Sequence, residues 1–151
     1  MNKNDYEDLF VSKGNRAILV IDHENDSTIQ KMITDATSKD IDSYIALELG
    51  DIKVIVGADG LTSTISSTGI GNNAHKKSLQ PLIKHYGNCK NIKAILICFI
   101  IHETFPIMEL KEAMDEVYKV FDKNEEIIFS VLIDNILAED EVQTNSIIKR
   151  H

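Results

Sequence analysis

The stretch Lys93-Ala-Ile-Leu-Ile-Cys-Phe-Ile-Ile101 is the most continuous apolar segment of the chain. It has the length of a β-strand, and apolar residues at every position from 94 to 101 indicate that both faces of that strand are buried. A helix that crosses a bilayer needs about 20 apolar residues, and the apolar run at 94–101 has only eight. The stretch therefore predicts a central strand of a water-soluble domain, and we expect no membrane association.

The residues after this strand predict a helix. Thr104 offers a capping hydroxyl, and Pro106 suits the first turn, where its missing N–H costs nothing. Apolar residues then recur at spacings of three and four up to Asp122, which predicts one buried face: Ile107, Leu110, Met114, Val117 and Phe121.

Two further strands are predicted at residues 126–133 and 142–149. A strand that is joined to the next one through a helix tends to lie parallel to it, with a right-handed crossover. Strands joined by a short turn, such as 134–141, tend to pair antiparallel. Because the last strand ends in charged residues, we expect it at or near an edge of the sheet.

The first half gives weaker signals. Residues 17–21 indicate a buried strand, and Asp26 or Ser27 can cap a helix with one apolar face formed by Ile29, Met32 and Ile33. Residues 51–56 fit either a strand or a helical turn that Asp51 caps. Residues 61–68 indicate a strand with a polar face. A short helix fits 74–79, and Pro81 is expected to stop it.

These elements together predict an α/β (α+β) fold, with a mixed sheet of about four strands and helices packed on it. The chain has 151 residues, which suits a single domain. We expect residues 1–16 to be a flexible N-terminal segment and residues 17–151 to form that domain.

Composition excludes several classes of function. The net charge is −8 and no basic stripe is present, so nucleic-acid binding is not expected. Cys89 and Cys98 provide neither a disulfide framework nor a metal-ligand spacing, and Cys98 fits a small buried hydrophobe. The first sixteen residues lack the apolar run of a secretory signal, so a cytoplasmic location is expected.

The segment Ile45-Ala-Leu-Glu-Leu-Gly-Asp-Ile-Lys53 places two carboxylates, Glu48 and Asp51, in a short turn between apolar residues. Such a pair can orient water or act as a general base. The alternative is a solvated turn in which Asp51 caps the next element. The segments Gly57-Ala-Asp-Gly60 and Gly69-Ile-Gly71 match no dinucleotide or Walker pattern and fit turns. The scattered histidines are expected at the surface: His23, His75, His85 and His151.

Residues 46–53 of this segment resemble the synergy loop of the FtsZ/tubulin family, Asn-Leu-Asp-Phe-Ala-Asp-Val-Lys. Further matches follow in the same order, at Gly60, Gly69-Ile-Gly71, Gln80-Pro-Leu-Ile83 and Asp140-Glu-Val142. The chain is thus similar to the C-terminal domain of FtsZ over roughly residues 45–150. The resemblance implies that Ala46, Glu48, Gly50 and Asp51 form a protein-interaction loop, which in the family reaches the nucleotide held by the next subunit.

The departures from the family set the expected function. No glycine-rich GTP-binding loop is found, and Ala46 replaces the Asn of the synergy loop. The resemblance therefore implies a non-catalytic bacterial protein without cofactor, metal or GTPase activity in isolation. It would act through association with FtsZ or with itself, and would modulate or cap a cell-division filament. Two alternatives stay open: a small enzyme or ligand-binding protein that shares only the topology, and a decayed gene fragment without function.

Overall fold

The computed structural model describes residues 27–38, 40–121 and 125–151. The predicted flexible segment at 1–16, the predicted strand at 17–21, His23 and Asp122 lie outside these residues. The helix that was predicted to end near Asp122 ends at Val120. The elements that the structure describes are α1 (Ser27–Thr37), β1 (Asp42–Ile45), α2 (Leu49–Gly57), β2 (Leu61–Ile70), α3 (Ala74–Tyr86), β3 (Ile92–Ile101), α4 (Ile107–Val120), β4 (Glu126–Ile133) and β5 (Glu141–Arg150).

The five strands of the described residues form one mixed sheet in the order β1-β4-β3-β5-β2. The pair β3–β4 is parallel, while β1–β4, β3–β5 and β2–β5 are antiparallel. Helices pack on both faces of the sheet. The predicted fold class is thus confirmed, with five strands where the sequence predicted about four.

The central strand β3 separates two apolar cores. Ile95, Ile97 and Phe99 point into the core beneath α3 and α4, and each is fully buried. Leu96 and Ile100 point to the opposite face, where they contact residues of α1 and α2. Because successive side chains of a strand face opposite sides, one apolar run fills both cores.

The parallel crossover from β3 through α4 to β4 was predicted correctly. The pairing of the last strand was not. β4 and β5 do not form a hairpin, because β3 lies between them and pairs with both. The link at 134–140 must therefore cross one strand, a distance of about 10 Å at the usual spacing of about 4.8 Å between neighbours.

The last strand lies near an edge of the sheet, as predicted, but it is not the edge strand itself. β5 lies between β3 and β2, and the edge strands of the described sheet are β1 and β2. The charge at the end of β5 does not indicate exposure to solvent, however, since Lys149 is buried with 2% exposure. Strand β1 itself was missed because it has only four residues, all of them exposed.

Two helices differ from their predictions. Residues 51–56, for which a strand and a helical turn were both open, lie in α2, which covers Leu49–Gly57. α3 does not stop at Pro81 but continues to Tyr86. A proline inside a helix removes one backbone hydrogen bond and costs about 3 kcal/mol or more. Burial of Leu79 and Leu82 on either side of Pro81 offsets that cost.

The helices α1 and α4 have the predicted apolar faces, with a few differences in detail. Ile29, Met32 and Ile33 of α1 are buried. In α4, Ile107 of the predicted stripe is 39% exposed, whereas the other members are buried. Thr104 does not cap this helix, because its hydroxyl lies 2.8 Å from the Nδ1 of His102. Pro106 occupies the N-cap position instead.

Ile97 provides a direct test of the central strand. Replacing Ile97 by Ala removes fully buried apolar atoms and leaves a cavity, so we expect a loss of about 2–5 kcal/mol in the free energy of unfolding. The control is the double variant Glu48→Ala with Asp51→Ala, which we expect to change stability by less than about 1 kcal/mol because the surface loop has no buried network to lose. Urea denaturation measures both, and the reverse order of effects would contradict the assignment of core and surface.

Candidate functional site

The loop that connects β1 to α2 carries the predicted interaction residues. Leu47 anchors the loop in the core with 4% exposure. On either side of this anchor, Ala46 and Glu48 are exposed, and so is Gly50, while Asp51 is partly exposed. A loop held by one buried side chain presents its polar neighbours in a defined direction, so the two carboxylates form a small fixed acidic feature on the surface.

Glu48 is the N-cap residue of α2, with extended backbone angles of φ −93° and ψ 130°. Its carbonyl oxygen accepts hydrogen bonds from the backbone N–H of Asp51 at 3.1 Å and of Ile52 at 3.4 Å. Its carboxylate makes no capping hydrogen bond. The alternative in which Asp51 caps the next element is therefore wrong, because Asp51 lies inside the first turn. There its charge interacts favourably with the positive end of the helix dipole.

The other end of α2 is held by a buried lysine that the sequence reasoning missed. The ammonium group of Lys149 donates to the carbonyl oxygens of Val56 at 3.1 Å and Ala58 at 2.9 Å, and to the hydroxyl of Thr62. Val56 lies in the last turn of α2, where unpaired carbonyls and the negative end of the helix dipole favour a cation. Lys149 thereby joins α2 to the strands β2 and β5.

A buried charge is costly unless its hydrogen-bonding capacity is satisfied. An ammonium group has three donors, and Lys149 directs them to three oxygen acceptors. The sequence contains a signal for the burial of Lys149. Ile147 and Lys149 share one face of β5 by the two-residue period of a strand, and Ile147 lies in the core beneath α1 and α2.

A small cleft lies next to Asp51, between α2 and the first residues of β3 and β4. Its volume is about 150 Å³. Its walls are mainly apolar, and Lys93, Glu126 and Lys149 add charge beside Asp51. Pockets for small organic ligands usually have volumes of about 300–1,000 Å³. The cleft is therefore suited to one side chain or a very small molecule.

The glycines near the loop are explained by backbone geometry. Gly60, directly before β2, has a φ of +120°, and a Cβ there would lie 2.0 Å from the carbonyl oxygen of Arg150. A Cβ on Gly69 would lie 2.1 Å from the carbonyl oxygen of Ala74. Only glycine fits such positions without rearrangement. These contacts account for both residues without a bound phosphate.

One of the four histidines contradicts the expected surface position. His75 of α3 is buried, and its two ring nitrogens face the carboxylates of Glu109 at 3.4 Å and Glu112 at 3.3 Å on α4. His85 and His151 are exposed as expected. Glu109 faces the Nδ1 atom of the ring and Glu112 faces the Nε2 atom. One metal ion bound to a ring nitrogen could therefore not contact both carboxylates. Within the described ranges, no cluster of three or more His, Cys, Asp or Glu side chains is arranged to hold a metal ion.

Two further buried groups are Cys98 of β3 and Asp35, a residue of α1 itself. Burial raises the pKa of the Cys98 thiol to about 12, so at neutral pH the side chain is a neutral, unreactive thiol. This agrees with its prediction as a small buried hydrophobe. Burial also raises the pKa of Asp35, against the opposing effect of a hydrogen bond from Lys31. Neither group belongs to the loop that carries Glu48 and Asp51.

Comparison with known proteins supports the fold. No protein-family model matches the sequence, and no curated protein matches it. The structure is similar to an empty FtsZ dimer of M. jannaschii, with a TM-score of 0.64 and 20% sequence identity over 95% of this chain. A mutant FtsZ of the same organism gives a TM-score of 0.65 and 18% identity, also over 95% of this chain.

The likeness establishes an FtsZ-like fold. The chain spans less than half of the FtsZ structures that it matches, namely 43% of the first and 44% of the second. At 18–20% identity the agreement concerns the path of the backbone and not an activity. Among the described residues, no helix combines the length and the apolar character that crossing a membrane requires.

Proposed function

We propose that this chain is a protein-association module that binds a partner through the loop at residues 46–51, and that the partner is FtsZ in a bacterial division filament. The observation that carries the proposal is the acidic turn of Glu48 and Asp51, which the buried Leu47 anchors on an FtsZ-like fold. A second copy of the chain is the other partner that the family resemblance implies.

The way in which α2 is held supports this role. Leu47 anchors the loop at the start of the helix, and Lys149 fixes the other end of the same helix. The carboxylates are therefore presented without a large loss of conformational entropy when a partner binds. Glu48 makes no capping hydrogen bond that would compete with a partner.

The proposed effect on the filament is capping. Head-to-tail contacts are heterologous, so each subunit needs two different faces for growth to continue. We propose that the residues of this chain supply the acidic loop but not a nucleotide-holding face, so that the chain docks at one filament end and stops addition there. In this proposal Ala46, which has no polar side chain, and Glu48, which is longer than the Asp of the family, leave the assembled GTPase site less well organised.

We expect a substoichiometric amount of this protein to shorten FtsZ filaments from the same organism. The double variant Glu48→Ala with Asp51→Ala should shorten them much less, because it removes the charges that the partner is proposed to contact. Filament lengths by electron microscopy and co-sedimentation measure the effect. The matched control is Glu139→Ala with Asp140→Ala, which removes two exposed carboxylates from the loop between β4 and β5.

The control should behave like the unmodified protein. Unchanged filament lengths at equimolar protein, together with no co-sedimentation, would remove FtsZ as the partner. Equal losses in both double variants would show that total charge matters and not the loop. Size-exclusion chromatography of the protein alone tests self-association at the same loop.

We also propose that the isolated chain neither binds nor hydrolyses GTP. The support is the sequence, which contains no glycine-rich phosphate loop. Isothermal titration with GTP and Mg²⁺ should give no saturable heat at micromolar protein, and phosphate release should equal that of buffer. A clear one-to-one isotherm in the micromolar range would contradict this part of the proposal.

The cleft beside Asp51 favours a second candidate, a ligand-binding protein or small enzyme. It combines apolar walls with four charged residues: Asp51, Lys93, Glu126 and Lys149. The small volume of about 150 Å³ weighs against a substrate of ordinary size. Amide chemical shifts that change around α2 on addition of a small-molecule library, without any effect on FtsZ, would favour this candidate.

A further inference from the structure

The edge strand β2 lacks the features that usually keep edge strands from pairing with other chains. Natural edge strands are short, carry charged residues or proline, or contain a bulge. β2 covers ten residues, Leu61–Ile70, and contains neither a charged residue nor a proline. It pairs with β5 over its whole length without a shift of register. The outer edge of β2 is therefore a long and regular template for a further strand.

The opposite edge strand of the described sheet, β1, has the protective features that β2 lacks. It has only four residues, it begins with the charged Asp42, and its pairing with β4 shifts register between Ser43 and Ile45. Each of these features hinders an added strand. Among the described strands, β2 alone contains no charged residue. If the sheet is extended by a strand from another molecule, the edge of β2 is favoured over the edge of β1.

The side chains of β2 alternate between the two faces of the sheet. Ile65 packs against the core beneath α3 and α4. Ser66 is opposite Asn145, which is opposite Cys98, so Ser66 lies on the face that α1 and α2 cover. Odd-numbered residues of β2 thus share one face and even-numbered residues share the other. An added strand continues the sheet, so each of its residues must lie opposite a residue of the same face.

This condition limits how β2 can pair with a second copy of itself. In a symmetric dimer, a two-fold axis perpendicular to the sheet makes the two strands antiparallel, and residue i opposite residue j implies j opposite i. Opposed residues must both be odd-numbered or both be even-numbered. The axis therefore passes through one residue, which lies opposite its own copy. Near the middle of β2 this residue is Ile65 or Ser66.

The register centred on Ile65 is self-complementary. Ile65 lies opposite its own copy, Ser63 lies opposite Ser67, and Thr62 lies opposite Thr68. Cross-strand pairs of β-branched apolar side chains and of hydroxyl side chains stabilise a sheet.

The register centred on Ser66 has poorer pairs. It places Ile65 opposite Ser67 and Thr62 opposite Ile70, so that apolar side chains meet hydroxyl groups. The sequence of β2 therefore favours the register centred on Ile65.

We propose that this protein forms a symmetric dimer in which the outer edges of two β2 strands pair antiparallel about Ile65. The pairing joins two five-stranded sheets into one continuous sheet. It opposes residues 61–69 of the two chains, and an antiparallel ladder supplies about one interchain backbone hydrogen bond for each opposed pair.

The pattern of β2 favours a second copy over a different protein as the occupant of this edge. A different strand would need apolar and hydroxyl residues at the matching positions and on the matching faces. A second copy supplies this pattern because the strand is complementary to itself. It also brings no charged residue into the strand pair, so no like charges are opposed across the ladder.

Sedimentation equilibrium of the full chain tests the dimer. We expect a concentration-dependent monomer–dimer equilibrium. Each chain carries a net charge of −8, while the paired strands are uncharged. Salt screens the repulsion between the two chains, so the dimer should become stronger as ionic strength rises. The double variant Glu48→Ala with Asp51→Ala should dimerise at least as well as the unmodified protein, because the loop at 46–51 is not part of this interface.

The variant Ser67→Glu tests the interface itself. It places a carboxylate opposite Ser63, where pairing of the strands removes water and offers no cation, so the dimer dissociation constant should rise about tenfold or more. The matched control is Ser43→Glu, the same substitution at an exposed residue of the other edge strand. The control should dimerise nearly as well as the unmodified protein. Thermal unfolding of both variants checks that each is folded.

Disulfide cross-linking tests the register. The background is Cys89→Ser, which leaves only the buried Cys98. Opposed Cα atoms of antiparallel strands are about 4.5–5.5 Å apart, within the range of about 4.4–6.8 Å that a disulfide spans. Under mild oxidation, Ile65→Cys should therefore form a covalent dimer. Ser67→Cys alone should not, because its two copies lie four positions apart, but a mixture of Ser63→Cys and Ser67→Cys chains should.

Several outcomes would overturn the inference. One is a monomer at all concentrations, from low micromolar to submillimolar. A monomer whose β2 amides are equally protected from exchange at every concentration would make another segment of the same chain the occupant. Equal weakening by Ser67→Glu and Ser43→Glu would place the contact elsewhere. Cross-linking of Ser67→Cys alone, with none for Ile65→Cys, would contradict the register. These experiments need no filament, so their results are independent of the function proposed for the loop at 46–51.

Discussion

The rest of this structure depends on β3, which pairs with a strand on each side and is buried on both faces. β3 is hydrogen-bonded to β4 on one side and to β5 on the other, and its side chains fill the apolar cores on both faces. Full burial of one large aliphatic side chain is worth about 1.5–3 kcal/mol. Because α2 packs against one of these cores, the direction of the acidic loop at its start depends on β3. The apolar groove that Ile45, Phe129, Val131 and residues of α4 line depends on the other face.

The sequence was informative wherever a local pattern decided the structure. The apolar run at β3, the three-to-four spacing of α4 and the apolar face of α1 each depend on residues close together in the chain. Position in the sheet depends on distant partners, and there the predicted hairpin of β4 and β5 was wrong. The short link after β4 indicated a hairpin of β4 with β5. In the structure β3 lies between these two strands and pairs with both. The prediction that Pro81 stops α3 was wrong for a related reason. Burial of the leucines around Pro81 outweighs the local preference of proline against the helix interior.

The candidate site, too, could be predicted from the sequence only where it depends on residues close together in the chain. The acidic turn could be located from the sequence, because its residue types and spacing are local. Its rigidity could not, because the lysine that holds α2 lies 93 residues after the carbonyl of Val56 to which it donates. Charge at the end of a strand usually indicates solvent, and only the alternation of β5 places Lys149 on a buried face. The apolar groove was also beyond prediction, since β1, α4 and β4 come together only in the fold.

Native-state amide hydrogen exchange tests the central role of β3 most directly. The account predicts that amides of residues 95–99 exchange only through global unfolding, with a free energy of opening equal to that from urea denaturation. The amides of β1 and of residues 46–48 should exchange through smaller local openings, because they lie at the edge of the sheet and in a surface loop. Exchange of residues 95–99 through an opening well below the global free energy, at the level of β1, would contradict the account.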